Sequence, residues 1–382
     1  MRDRCARWII AWICSTLLAL LLNAPAALAA APPAWHLAAI GAQEAWRTST
    51  GSGVTVAVID SGVDAGHPDL DGAVLPGRSY VDTDAGEEPR LLALGSDPSP
   101  AYERAFAQAD PVGHGTAVAG LIAGRASSGH PGVAPGAKIL PVRVLDDENR
   151  YHDSAMVGQA VEWAVDNGAD VINLSLGGHY DSRAFADAID YAARHDVLVV
   201  ACTGNQRRDG AEEPVWFPAR IDNVLAVTGS DRTGERWPTA VTGSETDLAA
   251  PGADLAVPAA GGGHKQVTGT SFASAIVSGA AALVRAEHPK LSAAQVRLLL
   301  TETARGGDSA LGAGLVDAGA ALAADIGQLP EPQQVAAGSE PPSVGLSAVM
   351  STAGGALLGA AALLLRGRRR HRPGAAASSG PR

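Results

Sequence analysis

Residues 54–63 read Val-Thr-Val-Ala-Val-Ile-Asp-Ser-Gly-Val, a short apolar run that ends in a carboxylate and a glycine turn. A run with so few polar residues is typical of a central strand in a parallel sheet, which helices cover on both faces. Asp60 would then stand at the carboxyl end of its strand. Because ligands and catalytic groups gather at that edge of open α/β sheets, Asp60 is a candidate functional carboxylate.

Similar apolar runs recur along the chain, at residues 139–145, 171–176, 197–201 and 224–227. Helical patterns lie among them, over residues 153–167, 182–195 and 292–304. Asp153 and Ser292 suit the capping position before a helix, and Gly168 suits the position after one. Strands that alternate with helices predict right-handed crossovers and a doubly wound, mostly parallel α/β sheet.

The amino-terminal end has the features of a secretory signal peptide. An apolar run over residues 9–22 follows three arginines, Arg2, Arg4 and Arg7. Ala27-Leu28-Ala29 then offers the small residues that a signal peptidase recognises. An uncleaved anchor is the alternative interpretation, but no basic stop-transfer cluster follows the run. We therefore expect residues 1–29 to be removed on export.

Cysteine usage and charge exclude some classes of protein. Two of the three cysteines lie within residues 1–29, so Cys202 alone would remain after cleavage and no intrachain disulfide could form. The formal net charge of -11 argues against a nucleic-acid partner, which would require a basic face.

The carboxyl-terminal end predicts a membrane anchor. Residues 343–365 carry no charge over 23 positions, which is long enough to cross a bilayer. Five arginines follow within residues 366–372, and such a basic tail, here residues 366–382, belongs on the cytoplasmic side. Before the apolar segment, the proline-rich residues 327–342 are typical of an extended linker. We expect a single-pass protein of the cell membrane, with residues 30–326 as an extracellular domain.

A sorting signal that is cut and attached to the cell wall would have a similar pattern. However, Leu329-Pro330-Glu331-Pro332 lacks the Thr-Gly pair of such a signal, so anchoring by the helix itself is favoured.

Three motifs carry the candidate chemistry. Asp60 ends the first strand, His114 stands in Gly113-His114-Gly115-Thr116, and Ser271 stands in Gly-Thr-Ser-Phe-Ala-Ser-Ala over residues 269–275. Taken singly, they could be a turn former, a loop residue and a helix cap. Together they supply the nucleophile, the base and the orienting anion that amide hydrolysis needs, in one of the chain orders known for a triad.

Seven stretches between about residues 50 and 322 resemble the successive motifs of the subtilisin family. They are VAVIDSGVD, HPDL, GHGTAVAG, GVAPGAKIL, VINLSLGG, TGN and GTSFASAIVSGAAALV. The resemblance implies a subtilisin-like fold, Asp60 orienting His114, His114 as general base and Ser271 as nucleophile. It further implies that Asn205, otherwise a turn residue after glycine, donates its side-chain amide to the oxyanion. By the same resemblance Ser175-Leu176-Gly177 would pair with the substrate backbone, and Gly204 would form a pocket wall. Trp216 would either line that pocket or belong to the core.

The chain departs from secreted subtilisins in three ways. Only about fifteen residues separate Ala29 from Ala45-Trp46, so an inhibitory prodomain does not fit. Residues 125–131 are shorter than the loop that binds calcium in many relatives and hold no carboxylate, so we expect no calcium there and name no cofactor. Residues 84–110 form an insertion that is either a lid or a disordered excursion.

This organisation resembles the mycosins, membrane-bound subtilisin-like proteases associated with type VII secretion. Trp35, Ala45-Trp46 and GSGVTVAVIDSGVD are similar to the mycosin start, whereas the missing cysteine pairs depart from mycosins that carry disulfides. The resemblance implies a protein or peptide substrate and secretion-machinery membrane proteins as partners. Two other interpretations stay open: a broad-specificity degradative surface protease, and an inactive scaffold of a membrane complex.

Overall fold

The computed structural model describes residues 34–82, 90–91, 107–206 and 213–330. The chain divides into two compact units, Met1–Gln333 and Gln334–Arg382, and the second unit lies wholly outside the described residues. The predicted signal peptide, membrane helix and basic tail also lie outside them. Within the described ranges, no helix combines the length and the apolar character needed to span a bilayer.

The described helices and strands alternate through most of the chain. The helices are α1 (Trp35–Ala39), α2 (Ala42–Ala45), α3 (His114–Ala123), α4 (Ser154–Asp166), α5 (Arg183–Arg194), α6 (Thr270–Glu287), α7 (Ala293–Glu302) and α8 (Ala318–Ala323). The strands are β1 (Thr55–Asp60), β2 (Arg78–Ser79), β3 (Val81–Asp82), β4 (Arg90–Leu91), β5 (Lys138–Arg143), β6 (Val171–Leu174), β7 (Leu198–Cys202), β8 (Val224–Ser230), β9 (Leu248–Pro251), β10 (Leu255–Pro258), β11 (His264–Val267), β12 (Arg305–Asp308) and β13 (Gly312–Leu315). Single 3-10 turns occupy Pro68–Leu70, Ala126–Ser128 and Ile326–Gln328.

Among the described strands, nine form one sheet in the order β12-β13-β9-β8-β7-β6-β1-β5-β2. Its pairings are parallel except for the antiparallel β12–β13 pair at one edge. Strand β1 is central, because Ile59 lies opposite Val142 of β5 on one side and Leu174 of β6 on the other. The winding reverses direction at this point. The expected doubly wound, mostly parallel sheet is confirmed.

The residues of β1 point alternately into two hydrophobic cores. Val56 and Val58 belong to a cluster with α3 and α6, whereas Ala57 and Ile59 belong to a cluster with α4 and α5. Because helices cover both faces, the strand needs apolar residues at every position, which explains the unbroken run in the sequence.

The predicted helix ends agree with the structure to within about two residues. Asp153 precedes α4 and its Oδ1 accepts a hydrogen bond from the N–H of Ala155 at 2.8 Å. Gly168 follows the helix with φ of +81°, a conformation that glycine adopts without steric cost. Ser292 and Gln295 form a reciprocal capping box at the start of α7.

The antiparallel pieces were not predicted from the sequence. Strand β11 contains His264, Lys265 and Gln266, which lack the apolar character of the central strands, and among the described strands it pairs with β10 alone. Helices α1 and α2 are also short and weakly patterned, and tertiary contacts hold this segment in place. The indole N–H of Trp46 donates to the carbonyl of Val133 at 2.8 Å.

The capping box at α7 provides a test of this description. Ser292→Ala removes the acceptor for the Gln295 N–H, and the loss of a helix cap costs about 1 kcal/mol of unfolding free energy. We therefore expect the thermal midpoint to fall by roughly 2 °C. Calorimetry of the purified chain would measure it. Ser127→Ala, at an exposed position, is the matched control, and an equal effect of both changes would contradict the role of the cap.

Candidate active site

Asp60 is the last residue of β1 and has no exposed surface. The carboxylate accepts hydrogen bonds from the N–H of Ser61 at 2.7 Å and from the Ser61 hydroxyl at 3.2 Å. His114 Nδ1 lies 2.8 Å from Oδ1 and 3.0 Å from Oδ2. Because a buried charge is stable only when it is paired and hydrogen-bonded, these contacts fix both the carboxylate and the imidazole. The structure brings Asp60 and His114 together as the sequence predicted.

Close approach of two backbone segments makes this pairing possible. A Cβ atom on Gly115 would lie 2.0 Å from the carbonyl oxygen of Gly62 and 3.2 Å from the carboxylate of Asp60. Only glycine fits there, which explains the glycine that follows His114.

Asp110 is a functional residue that the sequence interpretation missed. It is buried, and its Oδ1 accepts from the Gly113 N–H and from the Ser61 hydroxyl, both at 2.8 Å. Its Oδ2 accepts from the N–H of Thr116 at 2.8 Å and from the Thr116 hydroxyl at 2.6 Å. Asp110 thus caps the helix that begins at His114 and connects this helix to Ser61. The signal was an aspartate just ahead of a helix start, where carboxylates are favoured.

The interpretation of residues 84–110 as a lid or a disordered excursion is wrong for the end of the segment that includes Asp110. Of that segment, residues 90–91 and 107–110 are described. The carbonyl of Ala107 accepts from the N–H of Val63 at 3.1 Å, and Gln108 Nε2 donates to the carbonyl of Leu75 at 3.1 Å. These residues are therefore part of the packed structure behind Asp60.

The pKa of His114 is raised above its ordinary value of 6.5. Burial acts in the opposite direction, since it disfavours the charged imidazolium. The charge and the hydrogen bond of Asp60, with the charge of Asp110 in addition, outweigh burial and the repulsion from Lys265. The site therefore stabilises the imidazolium that forms when His114 accepts a proton.

Ser271 stands at the start of α6 with 8% of its surface exposed. Its hydroxyl donates to the carbonyl of Ser175 at 3.2 Å, and in the part of the chain that the structure describes no hydrogen bond joins it to the His114 ring. The Ser175 hydroxyl in turn donates to the carbonyl of Ser271 at 2.8 Å. Nucleophile and base contacts of this kind are often loose without substrate and tighten when it binds. The start of α6, which carries Ser271, therefore contacts the carboxyl end of β6, the strand next to β1 in the sheet.

Asn205 is oriented by its side-chain oxygen. Oδ1 accepts from the backbone N–H of Thr270 at 3.1 Å and from the Thr270 hydroxyl at 3.3 Å. The amide nitrogen Nδ2 is thereby turned away from Thr270. Asn205 borders the same cleft as Ser271.

The candidate catalytic side chains border a cleft of about 880 Å³. Its lining includes His114, Ser271 and Asn205, together with the predicted substrate residues Ser175, Leu176, Gly177 and Trp216. Gly204 is not part of this lining. It lies behind Trp216, because a Cβ atom there would come within 2.5 Å of the indole ring. Of the two interpretations of Trp216, the structure favours a cleft wall, and Gly204 provides the space for it.

A buried carboxylate, Asp146, supports another part of the cleft wall. Asp146 Oδ1 accepts from the N–H groups of Glu148 and Arg150, both at 2.9 Å, and Oδ2 lies 2.6 Å from His152 Nε2. Burial alone would raise the pKa of Asp146, but these hydrogen bonds and the nearby charge of Arg150 lower it. The carboxylate therefore stays charged and holds Arg150, Tyr151 and His152 in the wall.

The influence of Asp110 on His114 can be tested through pH dependence. The base must be neutral to accept a proton, so kcat/KM falls as pH falls through the pKa of His114, above 6.5. Asp110→Asn removes a negative charge that stabilises the imidazolium, so we expect this acidic limb to move to lower pH. Asp153→Asn, which neutralises a helix cap elsewhere, is the matched control. An unchanged limb in Asp110→Asn would refute the electrostatic role.

Comparisons with known proteins identify the family of the chain. The profile of the subtilase family matches residues 51–321. Subtilisin E of Bacillus subtilis (strain 168) is 38% identical over 275 residues, which cover 71% of this chain and 66% of that protein. The chain thus spans slightly less than two thirds of the length of that relative.

Solved structures of two secretion proteases also resemble the chain. MycP1 from Mycobacterium smegmatis superposes with a TM-score of 0.66 at 28% identity, covering 82% of this chain and 90% of that one. The MycP3 protease from the type VII (ESX-3) secretion system gives a TM-score of 0.62 at 31% identity, covering 77% and 90%. The family match, the parallel sheet and the pairing of Asp60 with His114 beside Ser271 lead to one conclusion: this chain is a member of the subtilase family of serine endopeptidases.

Proposed function

We propose that the chain hydrolyses peptide bonds through an acyl-enzyme on Ser271. The Ser271 hydroxyl attacks the scissile carbonyl carbon while His114 Nε2 accepts its proton. The resulting oxyanion accepts hydrogen bonds from the N–H of Ser271 and from Asn205 Nδ2. His114 then returns the proton to the leaving amine, and the C–N bond breaks. Water, activated by His114, hydrolyses the ester and restores Ser271.

One observation carries the proposal. A fully buried Asp60 carboxylate holds His114 Nδ1 at 2.8 Å, which leaves Nε2 of the same ring available to the cleft that contains Ser271. An aspartate in this position fixes the tautomer in which Nε2 can accept a proton.

The finer proposal concerns where the enzyme acts. The sequence features of a cleaved signal peptide and a carboxyl-terminal membrane helix support a catalytic domain outside the cell, attached to the membrane. The structural likeness to MycP1 and MycP3, over about four fifths of the chain, supports a role in type VII secretion. The substrate would then be a secreted protein, and the partners would be membrane proteins of the secretion machinery.

A degradative surface protease is the second candidate. Identity to Bacillus subtilisins reaches 38%, above the 28% and 31% found for the two secretion proteases. Comparing the secreted proteins of cells that carry the wild-type chain or Ser271→Ala distinguishes the two candidates. A few altered cleavage sites in exported proteins would favour the secretion role, whereas general loss of proteolysis would favour degradation.

An inactive scaffold is the third interpretation, and it comes from a different functional class. The pairing of Asp60 with His114 and the orientation of Asn205 argue against it, because a scaffold has no need of them. A fluorophosphonate probe reacts only with an activated serine, so labelling that is lost in Ser271→Ala would exclude an inactive protein.

Substitutions at the site give graded expectations for turnover. Ser271→Ala or His114→Ala should each reduce kcat by about a millionfold, the size of the loss recorded for a subtilisin relative. Asn205→Ala should cost roughly 10² to 10³ in kcat, because one oxyanion donor contributes about 3 kcal/mol, again on the scale of a subtilisin. Hydrolysis of a chromogenic peptide measures both effects. Asn167→Ala, at the exposed residue that follows α4, is the control for Asn205, and full activity in Ser271→Ala would refute the assignment.

The membrane location has its own test. Deleting residues 343–382 should release a soluble, active enzyme, since the candidate active-site residues all lie between Asp60 and Ser271. The full chain should sediment with membranes, and external protease should digest its catalytic domain in spheroplasts. The orientation follows from the arginines after residue 365, because their transfer across the bilayer is strongly unfavourable. A catalytic domain protected in intact spheroplasts would contradict export.

A further inference from the structure

A second cluster of ionisable side chains lies outside the catalytic cleft. One potential ligand atom from each of Asp69, His130 and His264 lies within 4.8 Å of the other two. Asp69 belongs to the Pro68–Leu70 turn, His130 to the loop after α3, and His264 to β11. None of the three is among the residues that line the cleft. Three separate segments of chain therefore converge on one point with two imidazoles and a carboxylate.

The geometry brings nitrogen and oxygen donors into a tight group. His264 Nε2 lies 2.7 Å from Asp69 Oδ2, and the rings of His130 and His264 stack with centroids 3.8 Å apart. Asp69 is buried, whereas both histidines are exposed. The buried carboxylate forms the base of the group, and the two rings leave it open to solvent.

A third histidine holds this arrangement in place. His67 Nδ1 accepts from the backbone N–H of Asp69 at 3.1 Å, and its Nε2 donates to the carbonyl of Gly263 at 3.0 Å. His67 therefore links the turn that carries Asp69 to Gly263, which lies between β10 and β11 just before His264. Both of its ring nitrogens are occupied, so it positions the ligands and does not join them.

We propose that Asp69, His130 and His264 bind one divalent transition-metal ion of the zinc class. Two imidazole nitrogens with one carboxylate form a donor set that zinc accepts, with water at the fourth position. Calcium and magnesium do not suit it, because calcium takes 6–8 oxygen ligands and magnesium near-octahedral oxygen coordination. Zinc bonds of about 2.0–2.1 Å place neighbouring ligand atoms roughly 3.3 Å apart, so the Asp69–His264 pair opens only slightly.

The ion would join the hairpin of β10 and β11, which precedes Ser271 in the sequence, to the rest of the domain. Strand β11 leads within three residues to Ser271, and Val267 and Thr268 on this path border the cleft. The hairpin tip consists of three glycines with positive φ, Gly261, Gly262 and Gly263, which restrain it little. Lys265 Nζ adds a contact to the carbonyl of Gly113 at 2.9 Å. Metal binding would therefore hold β11, which leads to Ser271, against the loop that follows α3.

The test uses the purified full chain without a histidine tag, carrying Ser271→Ala and treated with EDTA. Zinc chloride should bind at one site by calorimetry, and cobalt chloride should give a visible absorption band of four- or five-coordinate Co²⁺. At about a hundredfold excess over Kd, zinc should raise the thermal midpoint by roughly 5 °C, whereas calcium should not.

Variants decide between this site and an ordinary ion pair. His130→Ala, His264→Ala and Asp69→Asn should abolish the cobalt band and the zinc-dependent rise, while His195→Ala, an exposed histidine elsewhere, should keep both. His264→Gln serves if His264→Ala fails to fold. His114→Ala should keep both signals, which separates this site from binding at the triad. The proposal is overturned if zinc fails to bind, if His264→Gln and His195→Ala bind it equally, or if His264 substitutions lower stability by the same amount with and without zinc.

Discussion

The buried charge of Asp60 is the constraint on which the rest of the site depends. A carboxylate without exposed surface is stable only when it is paired and hydrogen-bonded, and here Ser61 and His114 supply those partners. His114 can reach Asp60 only because Gly115 and Gly62 bring two backbone segments into contact. The reversal of winding at β1 places β6 beside it, which brings Ser175 and Ser271 to the same edge. The sheet topology and the pairing of one buried charge therefore determine the geometry together.

Much of this arrangement could be predicted because its signals are local. The run before Asp60 shows a strand buried on both faces, and the caps at Asp153 and Ser292 mark helix starts within a few residues. The strand rule placed Asp60 at the carboxyl edge of the sheet, whereas its meeting with His114 and Ser271 was predicted from the chemistry of a triad and the resemblance to subtilisins. Asp60, His114, Ser175 and Asn205 are indeed found with Ser271 at that edge. Gly204 departs from the expectation in detail, since it supports Trp216 from behind.

The features that escaped prediction depend on contacts between distant residues. Asp110 looked like part of a polar insertion, yet its carboxylate is buried against Ser61 and Thr116 and influences the charge of His114. Strand β11 has no apolar alternation, and among the described strands it pairs with β10 alone, outside the central sheet. The cluster of Asp69 with His130 and His264 joins positions up to 195 residues apart, which no local pattern can indicate.

Cys202 ends β7 beneath the cleft wall and is buried, and burial raises its pKa to about 11. Only the thiolate attacks disulfides or reacts quickly with oxidants, so at neutral pH this sulfur is chemically silent. In an oxidising compartment, an exposed unpaired cysteine can form disulfide cross-links between chains. Here the native packing itself protects the thiol. The rate at which Cys202 reacts with a thiol reagent would therefore report how often strand β7 separates from its neighbours. The residue is thus a built-in probe of sheet opening.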